Sequence, residues 1–170
     1  MHRLPFAAAA AALLCVGIAT GPASGAPGQD AAYATAAHQG NLAEMAAGQD
    51  ARAHASTDCV KEVGARLVKD HAKLDDELKT IATRLDISLP SGPTAAQQEQ
   101  LKSVQAKAGS AAYDKAWLSA QESAHTATLK LIDKQLDQGR DTALVTAARK
   151  AQPIVQMHLD MVRGGSCHSM

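Results

Sequence analysis

Residues 67–78 read LVKDHAKLDDEL, with Leu67, Leu74 and Leu78 in a helical apolar rhythm and His71 on the beat between them. Extended both ways, the row runs Val60, Val63, Leu67, His71, Leu74, Leu78, Ile81 and Leu85, at alternating steps of three and four. That spacing lines one face of an α-helix, and so long an apolar face is buried by packing against other helices. The helix is expected to begin near Ser56–Asp58, where STD offers capping side chains that Glu62 can complete. It ends before SLPSGP at 88–93, whose prolines and glycine exclude helix. Composition agrees. Beyond residue 26 the aromatic residues are Tyr33, Tyr113 and Trp117, so the core is made of Ala, Leu, Val and Ile. Alanine has the highest helix propensity, and the fold class is all-α.

Three further long helices and one short one follow from the same signals. The first runs from about Asp30, a candidate cap, to Ala55, with Gly48 its single interruption. A short helix covers Thr94–Lys107, with Thr94 and Gln97 forming a capping pair. A third long helix spans about Ser110–Leu136 and stops at Gly139. A fourth runs from Asp141 to about Arg163, ended by Gly164 and Gly165, with Pro153 expected to kink it. Their buried rows are Leu118, Glu122, His125, Leu129, Ile132, Leu136 in one and Leu144, Ala148, Ala151, Val155, His158, Val162 in the other. The first helix offers two rival rows, one through Tyr33, Ala37, Gly40, Glu44 and Ala47, the other through His38, Leu42 and Met45. Four long segments that each bury one face make a four-helix bundle.

The first 26 residues have a different character. A short basic start at His2 and Arg3 precedes an apolar run from Phe6 to Ala19, a Gly/Pro break and small residues at Ala23, Gly25 and Ala26. This is the layout of a cleaved secretory leader, too short to span a membrane, and Cys15 lies within it. The expected organisation is a leader over 1–26, one bundle domain over 27–165 and a short tail over 166–170, in a periplasmic or secreted protein. Lys plus Arg and Asp plus Glu number 17 each, with no basic stripe, so nucleic acid is not an expected partner. No phosphate loop or nucleophile elbow is present, and no residue set supports an enzyme. In an exported chain the pair Cys59 and Cys167 reads first as a disulfide; free thiols or soft-metal ligands are the alternatives.

Three helices thus put one histidine each into an apolar row: His71, His125 and His158, with Glu44 and Glu122 as carboxylates beside them. A buried imidazole or carboxylate costs several kcal/mol unless it is hydrogen-bonded, paired or coordinated. Glu122–Ser–Ala–His125 has the Glu-x-x-His spacing used by di-metal carboxylate bundles. A second copy is missing, because Val155 precedes His158 and Val68 precedes His71 at that spacing, which argues against a di-iron centre. What remains is either one transition metal ion (iron, zinc or copper) held by Glu44, His71, Glu122, His125 and His158, or a metal-free buried hydrogen-bond network in a structural envelope protein. His158, close to the end of its helix, is the member expected to lie furthest from the common level. A softer set, Met157, His158, Met161, Cys167, His168 and Met170, suits copper if it converges; otherwise its methionines are packing residues.

The stretches AAHQGNLAEMAAGQDA, VKEVGARLVKDHAKLDDELKTIATRLDISLP, AYDKAWLSAQESAHTATLKLIDKQLDQGRD and QPIVQMHLD resemble a bacterial exported family known as domain of unknown function 4142. The most specific matches are Asp70–His71, Leu89–Pro90, Tyr113 to Ala116, and Pro153 followed by His158. The resemblance implies a ferritin-like bundle with the short helix in the crossover between its second and third long helices, an envelope setting and no established activity. It also implies interest in Glu44, Asp70, His71, His125 and His158. In ferritin-like order the chain end returns beside the start of the second helix, which would bring Cys167 to Cys59.

Overall fold

The computed structural model describes residues 28–168, so the leader expected over 1–26 and Met170 lie outside the described residues. Helix α1 spans Gln29–His54, α2 Asp58–Arg84, α3 Ala95–Gln105, α4 Ala111–Gln138 and α5 Thr142–Val162; a 3₁₀ turn follows at Arg163–Gly165. Among the described residues there is no strand, and no helix is long and apolar enough to cross a membrane.

Side chains at the helix starts close otherwise unpaired backbone N–H groups. Thr57 accepts from Val60 N, Thr94 and Gln97 form a reciprocal capping box, and Asp141 accepts from Ala143 N and Leu144 N. Asp30 does not cap α1 as expected. It lies in the first turn, and its carboxylate accepts from Arg140 N, Asp141 N and Gln135 Nε2, tying the start of α1 to the α4–α5 turn. Gly48 does not interrupt α1 either. A Cβ there would come 2.5 Å from the Gly64 carbonyl oxygen, and one on Gly64 would come 2.8 Å from that of Gly48. The two glycines let the α1 and α2 backbones approach closely.

Cross-helix contacts give the directions. On α1 and α2, His38 meets Asp75, Asn41 meets His71 and Gly48 meets Gly64, so rising numbers face falling ones. Gln29 with Gln135 and Ala47 with Trp117 show the same for α1 and α4; Asp133 with Gln152 and His125 with His158 do so for α4 and α5, and Glu77 with Lys150 and Asp70 with His158 for α2 and α5. Helices α2 and α4 therefore run the same way, and the segment between them, carrying α3, travels the length of the helical body. The sulfurs of Cys59 and Cys167 are 2.08 Å apart, a disulfide between the start of α2 and the segment after α5.

Two apolar clusters fill the interior. One gathers Ala51, Val60, Leu67, Trp117 and Met161, the other Tyr33, Leu78, Ile132, Leu144 and Val155. Each fully buried large side chain contributes about 1.5–3 kcal/mol. A polar layer separates the two clusters.

Candidate metal centre

His71 on α2, His125 on α4 and His158 on α5 occupy that layer, at 2 %, 1 % and 0 % exposure. Their ring centroids are 5.6 Å (His71–His125), 5.2 Å (His71–His158) and 5.4 Å (His125–His158) apart. One nitrogen of each ring faces an acceptor: His71 Nδ1 faces Asn41 Oδ1 at 2.9 Å, His125 Nδ1 the Gln121 carbonyl oxygen at 2.9 Å, and His158 Nε2 Asp70 Oδ2 at 3.1 Å. Asp70 is itself held by Arg66 Nε. An acceptor on one nitrogen fixes the proton there and leaves a lone pair on the other. Those other nitrogens, His71 Nε2, His125 Nε2 and His158 Nδ1, have no hydrogen-bond partner among the described residues.

A ligand atom from each ring lies within 4.8 Å of the other two. Metal–nitrogen bonds of about 2.0–2.1 Å would set tetrahedral ligands roughly 3.3 Å apart, so the rings would draw inward around an ion. Burial holds His71 well below its ordinary 6.5, helped by the charges that His125 and His158 would carry. Burial also lowers His158 to about 4, with His125 in the same direction and Asp70 in the other. Both rings are neutral at neutral pH, the form that binds metal.

Glu44 projects from α1 toward the same layer and is 6 % exposed, with no partner for Oε2. Burial raises its carboxyl, against the pull of His125 and of the Gln121 side chain. It lines a cavity of about 40 Å³ together with His71 and Asn41. Asp70 supports His158, as a carboxylate bonded to the far side of its ring. Burial pushes the Asp70 carboxyl up, but bonds from Arg66 and His158 hold it below its ordinary value.

Two expectations need correction. Glu122 is half-buried and is not among the side chains brought together, because the buried face of α4 runs through Leu118, Gln121, His125, Ile132 and Gln135, one residue round from the expected row. His158 does not lie away from the other rings: beyond α5 the chain continues through a 3₁₀ turn before reaching Cys59, which leaves residue 158 at the common level. The described members of the softer set do not converge. Met161 is buried in an apolar cluster, Met157 Sδ accepts from Arg66, Cys167 is bonded to Cys59, and the exposed His168 gives its backbone N–H to the Met161 carbonyl. The residues missed from sequence are Asn41 and Gln121, whose oxygens orient two of the rings. An asparagine in the middle of an alanine-rich helix was the available signal.

Fold and site together define an all-helical protein with a buried three-histidine pocket at mid-height. The sequence profile of the family described as "Domain of unknown function (DUF4142)" matches residues 18–164, and the chain belongs to that family. The match begins within the stretch of leader character. Comparison with curated proteins and with solved structures gave no match.

Proposed function

We propose that the protein is an exported, ferritin-like four-helix bundle that binds one transition metal ion through His71, His125 and His158, with no catalytic turnover of its own. The observation that carries this reading is a set of three buried imidazoles that each offer a ligand atom within 4.8 Å of the others, and that each leave one nitrogen without a hydrogen-bond partner. Leaving three such acceptors dry would cost about 1–3 kcal/mol each, a cost that coordination removes. A metal-free network would require hydrogen bonds among the rings, and those nitrogens make none. Asn41, the Gln121 carbonyl and Asp70 behind the rings match the supporting shell that orients metal-binding imidazoles. Three imidazole nitrogen donors suit a borderline divalent ion such as zinc, iron(II) or copper(II). Ferritin-like order is supported by the α2–α4 connection that spans the helical body. Export is supported by the leader character of residues 1–26 and by the bonded cysteines, which persist in oxidising compartments.

The test is elemental analysis of the purified protein, with melting measured before and after zinc addition. One ion per chain and a chelator-reversible rise in Tm are expected, and His125→Leu should abolish both. Absence of stoichiometric uptake by the unsubstituted chain would sink the reading.

A further inference from the structure

A second cavity, of about 60 Å³, lies between α1, α3 and α4. Its outer wall includes Gln100, exposed, and Gln97, half-buried, both on α3; its inner wall includes Glu44 and Gln121, at 6 % and 4 % exposure. Glu44 Oε2 and Gln121 Oε1 are both buried and without hydrogen-bond partners. Two oxygens without donors, on side chains close enough for the Gln121 amide to pull on the Glu44 carboxyl, therefore form the floor of a cleft whose mouth reaches water. Gln121 also holds His125 by its main-chain oxygen, on the same buried face of α4. Glu44 belongs to the walls of both cavities, this one and the one that reaches His71.

A divalent ion cannot shed its water in an apolar passage, because the loss of solvation is prohibitive unless oxygens replace it. Glu44, with Gln121 beside it, presents such oxygens where the cleft and the cavity lined by His71 share a wall. We propose that a hydrated divalent cation enters between α3 and the α1–α4 pair, and that Glu44 takes it from water and delivers it to the imidazoles. This rests on the metal reading above and assigns Glu44 to the route of the ion rather than to its final coordination.

The test is stopped-flow uptake of Co²⁺, followed by its visible bands, in the unsubstituted chain, Glu44→Gln and Leu101→Trp, the last filling the mouth of the cleft. Circular dichroism verifies that both variants are folded. Both should take up one cobalt per chain with the wild-type spectrum. Association should slow by about tenfold or more, the scale on which charged clefts accelerate capture, and release to a chelator should slow in parallel, since a gate acts in both directions. Association within twofold of wild type would overturn the route, as would a cobalt spectrum altered by Glu44→Gln, which would make Glu44 a ligand. Failure of the unsubstituted chain to bind cobalt would remove the metal reading itself, and the route with it, before any variant is compared.

Discussion

Where the end of α1 meets the start of α4, the Asp50 carboxylate faces the Tyr113 hydroxyl at 2.6 Å, His54 Nδ1 at 2.9 Å and Gln105 Nε2 at 2.9 Å. Beside it, Asp114 accepts from Ser56 N, Thr57 N and the Thr57 hydroxyl. At mid-height, three equally buried imidazoles each satisfy one nitrogen and leave the other bare. The first region is closed, with donors matched to acceptors; the second is open. Burial costs polar groups the same in both places, so under the proposed metal reading the difference separates polar residues kept for architecture from those kept for a ligand.

The sharpest break in that comparison is Asp50→Ala, which strands a buried Tyr113 hydroxyl and removes the bonds from the exposed His54 and Gln105 side chains. Unfolding free energy by urea titration should fall by about 4 kcal/mol, within the range for losing bonds to a charged group and orphaning a neighbour. A fall under about 1 kcal/mol would mean the closed region is not what it looks like.

Acid should separate the two regions next. His158, at about 4, and His71, also lowered, bind protons more readily in the unfolded chain, whose histidines titrate near 6.5. The stability they provide is full above about pH 6.5 and is lost as pH falls toward 4; His158 alone accounts for on the order of 3 kcal/mol. Glu44, raised by burial, acts oppositely, because the folded chain holds its proton more tightly, and it offsets part of that loss. Asp114 is pushed up by burial but held below 3.8 by the N–H groups of Ser56 and Thr57, so its contribution is lost only in more acid solution. Urea midpoints of chelator-treated protein should therefore decline in two steps, the first removed by metal.

A smaller loss, about 2 kcal/mol by urea titration, is expected of Gly64→Ala, because the new methyl must push α1 from α2. It should also weaken zinc affinity, since Asn41 reaches His71 across that interface. The smallest effect belongs to His71→Leu. In metal-free protein the apolar side chain removes one bare nitrogen but leaves Asn41 Oδ1 without its donor, so stability should change by no more than about 1 kcal/mol, while the zinc-induced rise in Tm disappears. A large loss without metal would place His71 with the architectural residues.

Much of this was legible in the rows of α2 and α5. The α2 row is buried apart from the half-buried Leu74 and the exposed Leu85, and every member of the α5 row is buried, because strongly apolar positions alternate there with charged ones. Helix α1 was not legible. It is rich in alanine, which suits buried and exposed positions alike, and its interior face draws on both rival rows, taking Tyr33 and Glu44 from one and His38 from the other. His38 was hidden for a further reason. Its Nδ1 faces Asp75 at 2.6 Å and its Nε2 the Pro90 carbonyl oxygen at 2.9 Å, partners 37 and 52 residues away that no local pattern announces. Glu122 fits the three–four step between Leu118 and His125, but the buried face of α4 turns one residue to Gln121, a position that spacing alone does not separate from its neighbour.

The cross-link between residues 59 and 167 closes a covalent hoop through α2, α3, α4 and α5. All three imidazole-bearing helices are threaded on it, whereas α1 hangs outside, attached at one end. When the molecule loosens, α1 is the stave that can swing out without any bond being cut, carrying Asn41 and Glu44 away while His71, His125 and His158 stay corralled together.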